Sequence, residues 1–308
     1  MSVEIKRPEK VIPEKVVGFA IGEQEVVISS KNAILYALGI GIGSSPLCPR
    51  HLKYVYELAE DFAVFPTITT VLLDASKIFE TLSLCPGLPD FNPMALLHGE
   101  QSVTIFSPLR LDTKYLLITK IKSIEDKGKG ALLCIESRGH HQSALVFINE
   151  MGLFIRGMNN FASPVTSLKS PGNTVKGQSV VVKKQLSAKT ASDQAILYRL
   201  NGDLNPLHVD MGMAEVAGFE RPILHGLCTF GVVAKEISMN LLNNQPETIK
   251  SISARFVGHL FPGETLDIST SVSKDHPSII TFDAVSRERK TRVITGKVEV
   301  SQPIAPKL

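Results

Sequence analysis

Residues 226–242 set the strongest limit on how this chain can fold. Leu227, Phe230, Ala234, Ile237 and Leu241 recur at helical spacing, and most positions between them are apolar too. A helix apolar around much of its circumference has to be wrapped by other elements. The C-terminal segments supply a wrap: 251–257, 265–273, 279–286 and 293–301 read as strands. Leu266, Ile268, Thr270 and Val272 alternate with polar residues, as on a sheet with one buried face. Short turns such as Pro262-Gly263 favour antiparallel pairing. The arrangement predicted is α+β, an antiparallel sheet curled around a buried helix.

That unit reads as present twice. Ala33-Ile34-Leu35-Tyr36 matches Ala195-Ile196-Leu197-Tyr198, each running into a glycine-bearing loop, and Leu97-His98-Gly99 matches Leu224-His225-Gly226. Two echoes in one order point to duplication. The fold expected is two hot-dog repeats, each an antiparallel sheet wrapped around a long central helix. The first repeat is placed at 1–162 and the second at 179–308. A linker at 163–178 is rich in Ser, Pro, Gly, Lys and Thr. In the first repeat, 32–38 reads as a helix capped by Ser29 or Ser30, 52–62 as helical, and 63–73 as extended with a break at Pro66. Strands are expected at 102–106, 115–124, 130–139 and 143–156. In the second, Thr190 or Ser192 can cap a helix through Tyr198, and Asp210 can cap 211–217 ahead of Gly218.

Composition removes several function classes. A net charge of +3, with no basic run interleaved with aromatics, gives no footprint for nucleic acid. No apolar run reaches the roughly eighteen residues of a membrane span. Cys48, Cys85, Cys134 and Cys228 lie far apart with no CxxC pair, so neither a disulfide framework nor a zinc site is indicated. The glycine run at 39–43 follows a helix and meets Pro46, whereas a dinucleotide loop follows a strand and opens a helix. His140 and His141 are neighbours on a strand and face opposite ways, against a shared metal.

The chemistry concentrates in 198–210. A helix ends at Gly202, and the loop then presents Asp203 and, five residues on, His208. A carboxylate beside an imidazole can hold one water and move its protons near neutral pH. Gly226, opening the apolar helix, offers a free N–H to a developing oxyanion. Alone, Asp203 could equally cap the loop and His208 could be a structural histidine; His225 reads as structural. Counted from the matched tyrosines, Asp203 falls opposite Gly41 and His208 opposite Pro46. The first repeat therefore keeps the frame but not the proton carriers.

The run Tyr198-Arg199-Leu200-Asn201-Gly202-Asp203-Leu204-Asn205-Pro206-Leu207-His208-Val209-Asp210 resembles the signature of the MaoC-like 2-enoyl-CoA hydratase 2 family. Residues 222–231, 254–257 and 261–266 resemble its further motifs, and 97–101 with 126–128 extend the likeness into the first half. Met211 and Asn201 depart from the family's usual residues. The resemblance implies hydration of trans-2-enoyl-CoA to (3R)-3-hydroxyacyl-CoA in fatty-acid β-oxidation, with no cofactor beyond the CoA thioester and no metal. It implies Asp203 and His208 as the catalytic pair, the Gly226 amide as oxyanion donor, and Asn205 as orienting them. It implies substrate contacts at His98, Gly99, Lys127, Gly202, Leu204, Pro206, Leu207 and Phe256. Taken alone, Lys127 in a turn is a solvated charge and Phe256 a core residue. The alternatives are another acyl-thioester enzyme of this fold, a thioesterase or dehydratase, and a non-catalytic acyl-CoA-binding module. The end Pro306-Lys307-Leu308 is close to a Ser-Lys-Leu peroxisomal address, with proline at its first position, which gives an expected peroxisomal location and import receptor. Pairing into a homodimer is left open.

Overall fold

Ten antiparallel strands form one continuous sheet in the computed structural model, which describes residues 7–45, 47–73, 75–163 and 180–304. The strands are β1 (Ala20–Val27), β2 (Leu96–Ile105), β3 (Lys114–Asp126), β4 (Gly130–His141), β5 (Ala144–Arg156), β6 (Val180–Lys189), β7 (Ile249–Phe256), β8 (Thr265–Ser273), β9 (Ile279–Ser286) and β10 (Arg292–Val300). From one edge the order is β1-β3-β4-β5-β2, and from the other it is β6-β8-β9-β10-β7. These are the same order. The halves join where β2 pairs with β7, with Ser102 opposite Ser253. Duplication is thus visible in topology. The expected linker at 163–178 falls almost wholly outside the described residues.

The helices are α1 (Pro13–Val16), α2 (Ser30–Gly39), α3 (Pro49–Val55), α4 (Ala75–Leu82), α5 (Gln194–Tyr198), α6 (Met211–Val216) and α7 (Gly226–Leu241). α7 is the long apolar helix, and Cys228 through Lys235 are all buried in it. Its bulkier apolar side chains, Phe230, Val233 and Ile237, share one core with Leu266, Ile268 and Phe282 of the second sheet. Burying a side chain of that size is worth about 1.5–3 kcal/mol. The same core takes in Tyr36, Ile40 and Leu117 of the first half. Contact is close at Gly231, where a Cβ would lie 2.4 Å from Ile40 Cγ2. α2 carries the Ser29 cap expected of it, the hydroxyl accepting from Asn32 N, and Asp210 caps α6 through Met213 N.

Several expectations need correction. Among the described residues, nothing before residue 180 matches α7; the longest helix there is α2, with ten residues. The described residues of the first repeat thus hold no long central helix. The run 63–73 does not extend either: Pro66–Val71 is a 3-10 helix, with Thr69 and Thr70 hydroxyls donating back to the carbonyls of Pro66 and Thr67. A proline start followed by five β-branched residues suits neither an α-helix nor, with hydroxyls closing locally, a ladder strand. Finally, Leu97-His98-Gly99 lies within β2, whose counterpart is β7, whereas Leu224-His225-Gly226 opens α7. That echo is chance, because the residues after Gly99 alternate and pair on both sides. The helix expected at 52–62 stops at Val55, and α5 is preceded by Asp193 without a side-chain cap.

The rest of the first sheet is covered differently. Val16, Ile78, Leu82, Cys85 and Leu88 form a second core over Ile121, Leu133, Leu153 and Ile155. α7 therefore shares its core with Tyr36, Ile40 and Leu117 of the first half, while α1 and α4 cover the rest of the first sheet. No helix is long and apolar enough to cross a membrane among the described residues.

Candidate active site

The loop after α5 turns at Gly202, whose φ of 115° is a left-handed conformation that glycine adopts without strain. Beyond it, Asp203 Oδ1 accepts from Asn205 N at 3.2 Å, and Asn205 Oδ1 accepts from Leu207 N at 3.0 Å. Asn205 thereby caps the short 3-10 turn Pro206–His208. Its observed work is on the loop's shape. The turn aims His208 inward, where it is buried, while Leu204 and Pro206 stay exposed and Leu207 is half-buried.

The His208 Nδ1–H donates to the Ile223 carbonyl at 2.8 Å. A carbonyl can only accept, so the proton sits on Nδ1 and the lone pair on Nε2. That lone pair faces Asp203 Oδ2 across 3.9 Å. This separation is too long for a direct hydrogen bond and suits a bridging water. Two water hydrogen bonds of about 2.8 Å, opening at the water angle, span about 4 to 4.5 Å. Burial lowers the His208 pKa from its ordinary 6.5, only partly offset by the Ile223 carbonyl and the Asp203 charge. The imidazole is neutral at pH 7 and ready to accept.

His225 stacks on His208, with ring centroids 3.7 Å apart and planes inclined 25°. Asp203, His208 and His225 each bring one ligand atom within 4.8 Å of the others. Stacked rings, however, direct their in-plane lone pairs side by side rather than at a common ion.

Gly226 is the first residue of α7 and follows His225, so its N–H belongs to the unpaired first turn. A Cβ there would meet the Phe256 ring at 3.4 Å. Phe256 in turn makes an edge contact with His98, centroids 5.1 Å apart. The His98 Nε2 lies 3.1 Å from both Glu100 O and Gln101 Oε1, and burial pushes its pKa down to about 4. Gly99 sits in a β-bulge between His98 and Glu100 where β2 meets β5, a device that re-aims a strand side chain. The first half thus brings His98 against Phe256, beside the second half's helix start. Lys127 is held by the buried Glu125 at 2.6 Å, so its ammonium already has a structural partner.

Sequence reasoning missed the weight of His225. The one available signal was its place directly before Gly226, the N-cap position of α7. The Gln101–Asn149–Thr69 chain that seats His98 was also missed, since nothing in sequence ties these positions together.

Residues 27–157 match the family model for the MFE-2 hydratase 2 N-terminal domain, and residues 173–296 match the MaoC like domain. The chain is 34% identical over 308 residues to a probable enoyl-CoA hydratase 2 of Dictyostelium discoideum, covering 99% of this chain and 98% of that protein. It is 35% identical to the peroxisomal enoyl-CoA hydratase 2 of Arabidopsis thaliana, over 90% of this chain and 92% of that one. Its fold superposes on a MaoC-like dehydratase from Phytophthora Capsici with a TM-score of 0.80 and 29% identity, covering 95% of this chain and 99% of that one.

Proposed function

The chain belongs to the MaoC-like enoyl-CoA hydratase 2 family, and we propose that Asp203, His208 and Gly226 carry its hydration of trans-2-enoyl-CoA to (3R)-3-hydroxyacyl-CoA. The reaction is a step of fatty-acid β-oxidation, and the enzyme is a hydro-lyase. The observation that carries the assignment is the 3.9 Å gap between two acceptors, Asp203 Oδ2 and His208 Nε2.

A water in that gap donates one hydrogen to each acceptor and turns a lone pair toward C3 of the substrate. The Gly226 N–H holds the thioester oxygen. As the new C3–O bond forms, the C2–C3 π electrons move toward the thioester and build an enolate, which that N–H stabilises. One such donor is worth about 3 kcal/mol. A water proton passes to the pair and a proton from the pair reaches C2, so atoms and charge balance. The carboxylate and imidazole titrate as a unit. His98 and Phe256 wall the substrate beside the helix start, with Gly99 setting His98; Gly202, Leu204, Pro206 and Leu207 form the loop's outer face toward it. Lys127 answers Glu125 first and reaches CoA phosphates only by exchanging partners. The chemistry calls for neither metal nor cofactor.

The test is incubation with trans-2-enoyl-CoA of several chain lengths, followed by chiral analysis and a thiol-reactive dye. The expected outcome is (3R) product without free CoA thiol. A (3S) product, or thiol release alone, contradicts the reading.

A peroxisomal setting fits the relatives named peroxisomal. The terminal Pro306-Lys307-Leu308, which lies outside the described residues, is its proposed address. A fluorescent protein carrying this tail should enter peroxisomes, and a cytosolic signal would remove the address. Pairing of two chains into a homodimer is checked by light scattering.

A further inference from the structure

His225 has no part in the steps above, yet it touches both members of the proton pair. Its side chain is 1% exposed. Its Nε2 lies 3.2 Å from the main-chain oxygen of Asp203, so Nε2 carries the hydrogen and donates it. One face of the same ring carries His208 at 3.7 Å. In sequence it is fixed to Gly226, the first residue of α7. One rigid imidazole therefore meets the carboxylate's backbone, the catalytic ring and the oxyanion donor.

We propose that His225 is a positioning residue for the hydration: it pins the Asp203 main chain and seats the His208 ring. The gap that holds the water, and its distance from the Gly226 amide, are then set by a single side chain. The inference rests on the hydratase reading of this site. A histidine that merely plugged the end of α7 would need no donor contact to Asp203 and no stacking on His208.

The role requires the ring to stay neutral. Its Nδ1 is buried without a partner, so a proton there would be unpaired in the core. The charged and titratable groups facing it are His208, Asp203, Arg199 and Tyr198, whose ring centroid lies 5.0 Å away and whose phenol burial keeps protonated. Burial, and then the His208 charge, push its pKa down to about 3 against the pull of Asp203. His225 is neutral wherever His208 is neutral.

Two variants separate its two contacts. His225→Phe keeps a stacking face and loses the donor to Asp203; kcat should fall about 100-fold, as for a misplacement of about 1 Å, with KM within about threefold. His225→Gln keeps an N–H at the reach of Nε2 and loses the stacked ring. It should recover at least about tenfold of that loss, and its acid limb of kcat/KM should move up toward pH 6.5 as water gains the His208 face. In the wild type, ¹⁵N histidine spectra should show His225 protonated at Nε2 and not titrating above about pH 4. A kcat within twofold of wild type in His225→Phe, an unmoved acid limb in His225→Gln, or a His225 resonance titrating near 6.5 would each overturn the inference. The spectra decide the matter even if neither variant folds. A wild type that makes no (3R) product sinks the hydratase reading itself; silent variants of an active wild type sink only the role of His225.

Discussion

At the N-terminal end of α7 the unpaired amide of Gly226 stands beside Asp203 and His208. At its C-terminal end the carbonyls of Met239 and Asn240 are taken up by Arg50 and Lys184. The first-half loop that repeats the catalytic one meets α7 away from its start: a Cβ on Gly41, opposite Asp203 in the repeat, would sit 3.5 Å from Lys235 Nζ. A helix has one positive end and one negative end. A duplicated unit that keeps a single central helix therefore keeps a single place to stabilise an oxyanion. The first half has Gly41 and Pro46 where the second has Asp203 and His208, and among its described residues no helix is longer than the ten residues of α2. Space was not what it lost, since a cleft of about 700 Å³ opens at the C-terminal end, lined by Arg50, Lys53, Lys184, Met239 and Asn240.

The largest effects should fall at the N-terminal end. Asp203→Ala or His208→Ala is expected to lower kcat by about 10³-fold or more, with an unchanged circular dichroism spectrum. Installing Gly41→Asp in the Asp203→Ala background should restore nothing, because that carboxylate would meet Lys235 instead of the start of α7. Any hydration regained there breaks the comparison.

Acid should act next. A protonated His208 cannot accept from water, so activity is lost as pH falls through its pKa. Because burial sets that pKa below the ordinary 6.5, kcat/KM should stay flat from pH 8 to about 6.5 and decline only below. A decline that begins above pH 7 would place the limb on another group.

Gly231 tests whether one helix serves both halves. Gly231→Val puts methyls where Ile40 and the Tyr36 hydroxyl lie 2.4 and 2.9 Å from an added Cβ. Overpacking of this kind should cost about 1–3 kcal/mol, read as a lowered melting temperature with one transition. Two separated transitions would mean two independent cores. Smallest of all, dialysis against a chelator should leave turnover unchanged. Activity lost and then regained with a divalent ion would make Asp203, His208 and His225 metal ligands instead.

Much of this was legible beforehand, for a local reason. α7 and β7–β10 follow from short-range periodicity, and the turn holding Asp203 and His208 follows from Gly202, Asn205 and Pro206, whose preferences act within a few residues. The match of Tyr36 to Tyr198 agrees with the topology, since α2 follows edge strand β1 as α5 follows edge strand β6. The match of Leu97-His98-Gly99 to Leu224-His225-Gly226 does not, since identical tripeptides took a strand in one case and a helix start in the other. Which one forms is decided by pairing with β5 and β7, far away in sequence. His98 nonetheless reaches the site, through Phe256, by a route no spacing rule describes. The missing helix of the first half and the stacking of His225 on His208 are likewise tertiary facts.

The central claim, one oxyanion site at the start of α7, is best tested by Gly226→Pro. Proline is favoured at the first helical position, and His225, with φ −54° and ψ 134°, already has the backbone a following proline requires. The variant removes the N–H and leaves the helix. We expect kcat to fall about 10²- to 10³-fold, with KM and melting temperature little changed. A kcat equal to that of the wild type would contradict the account.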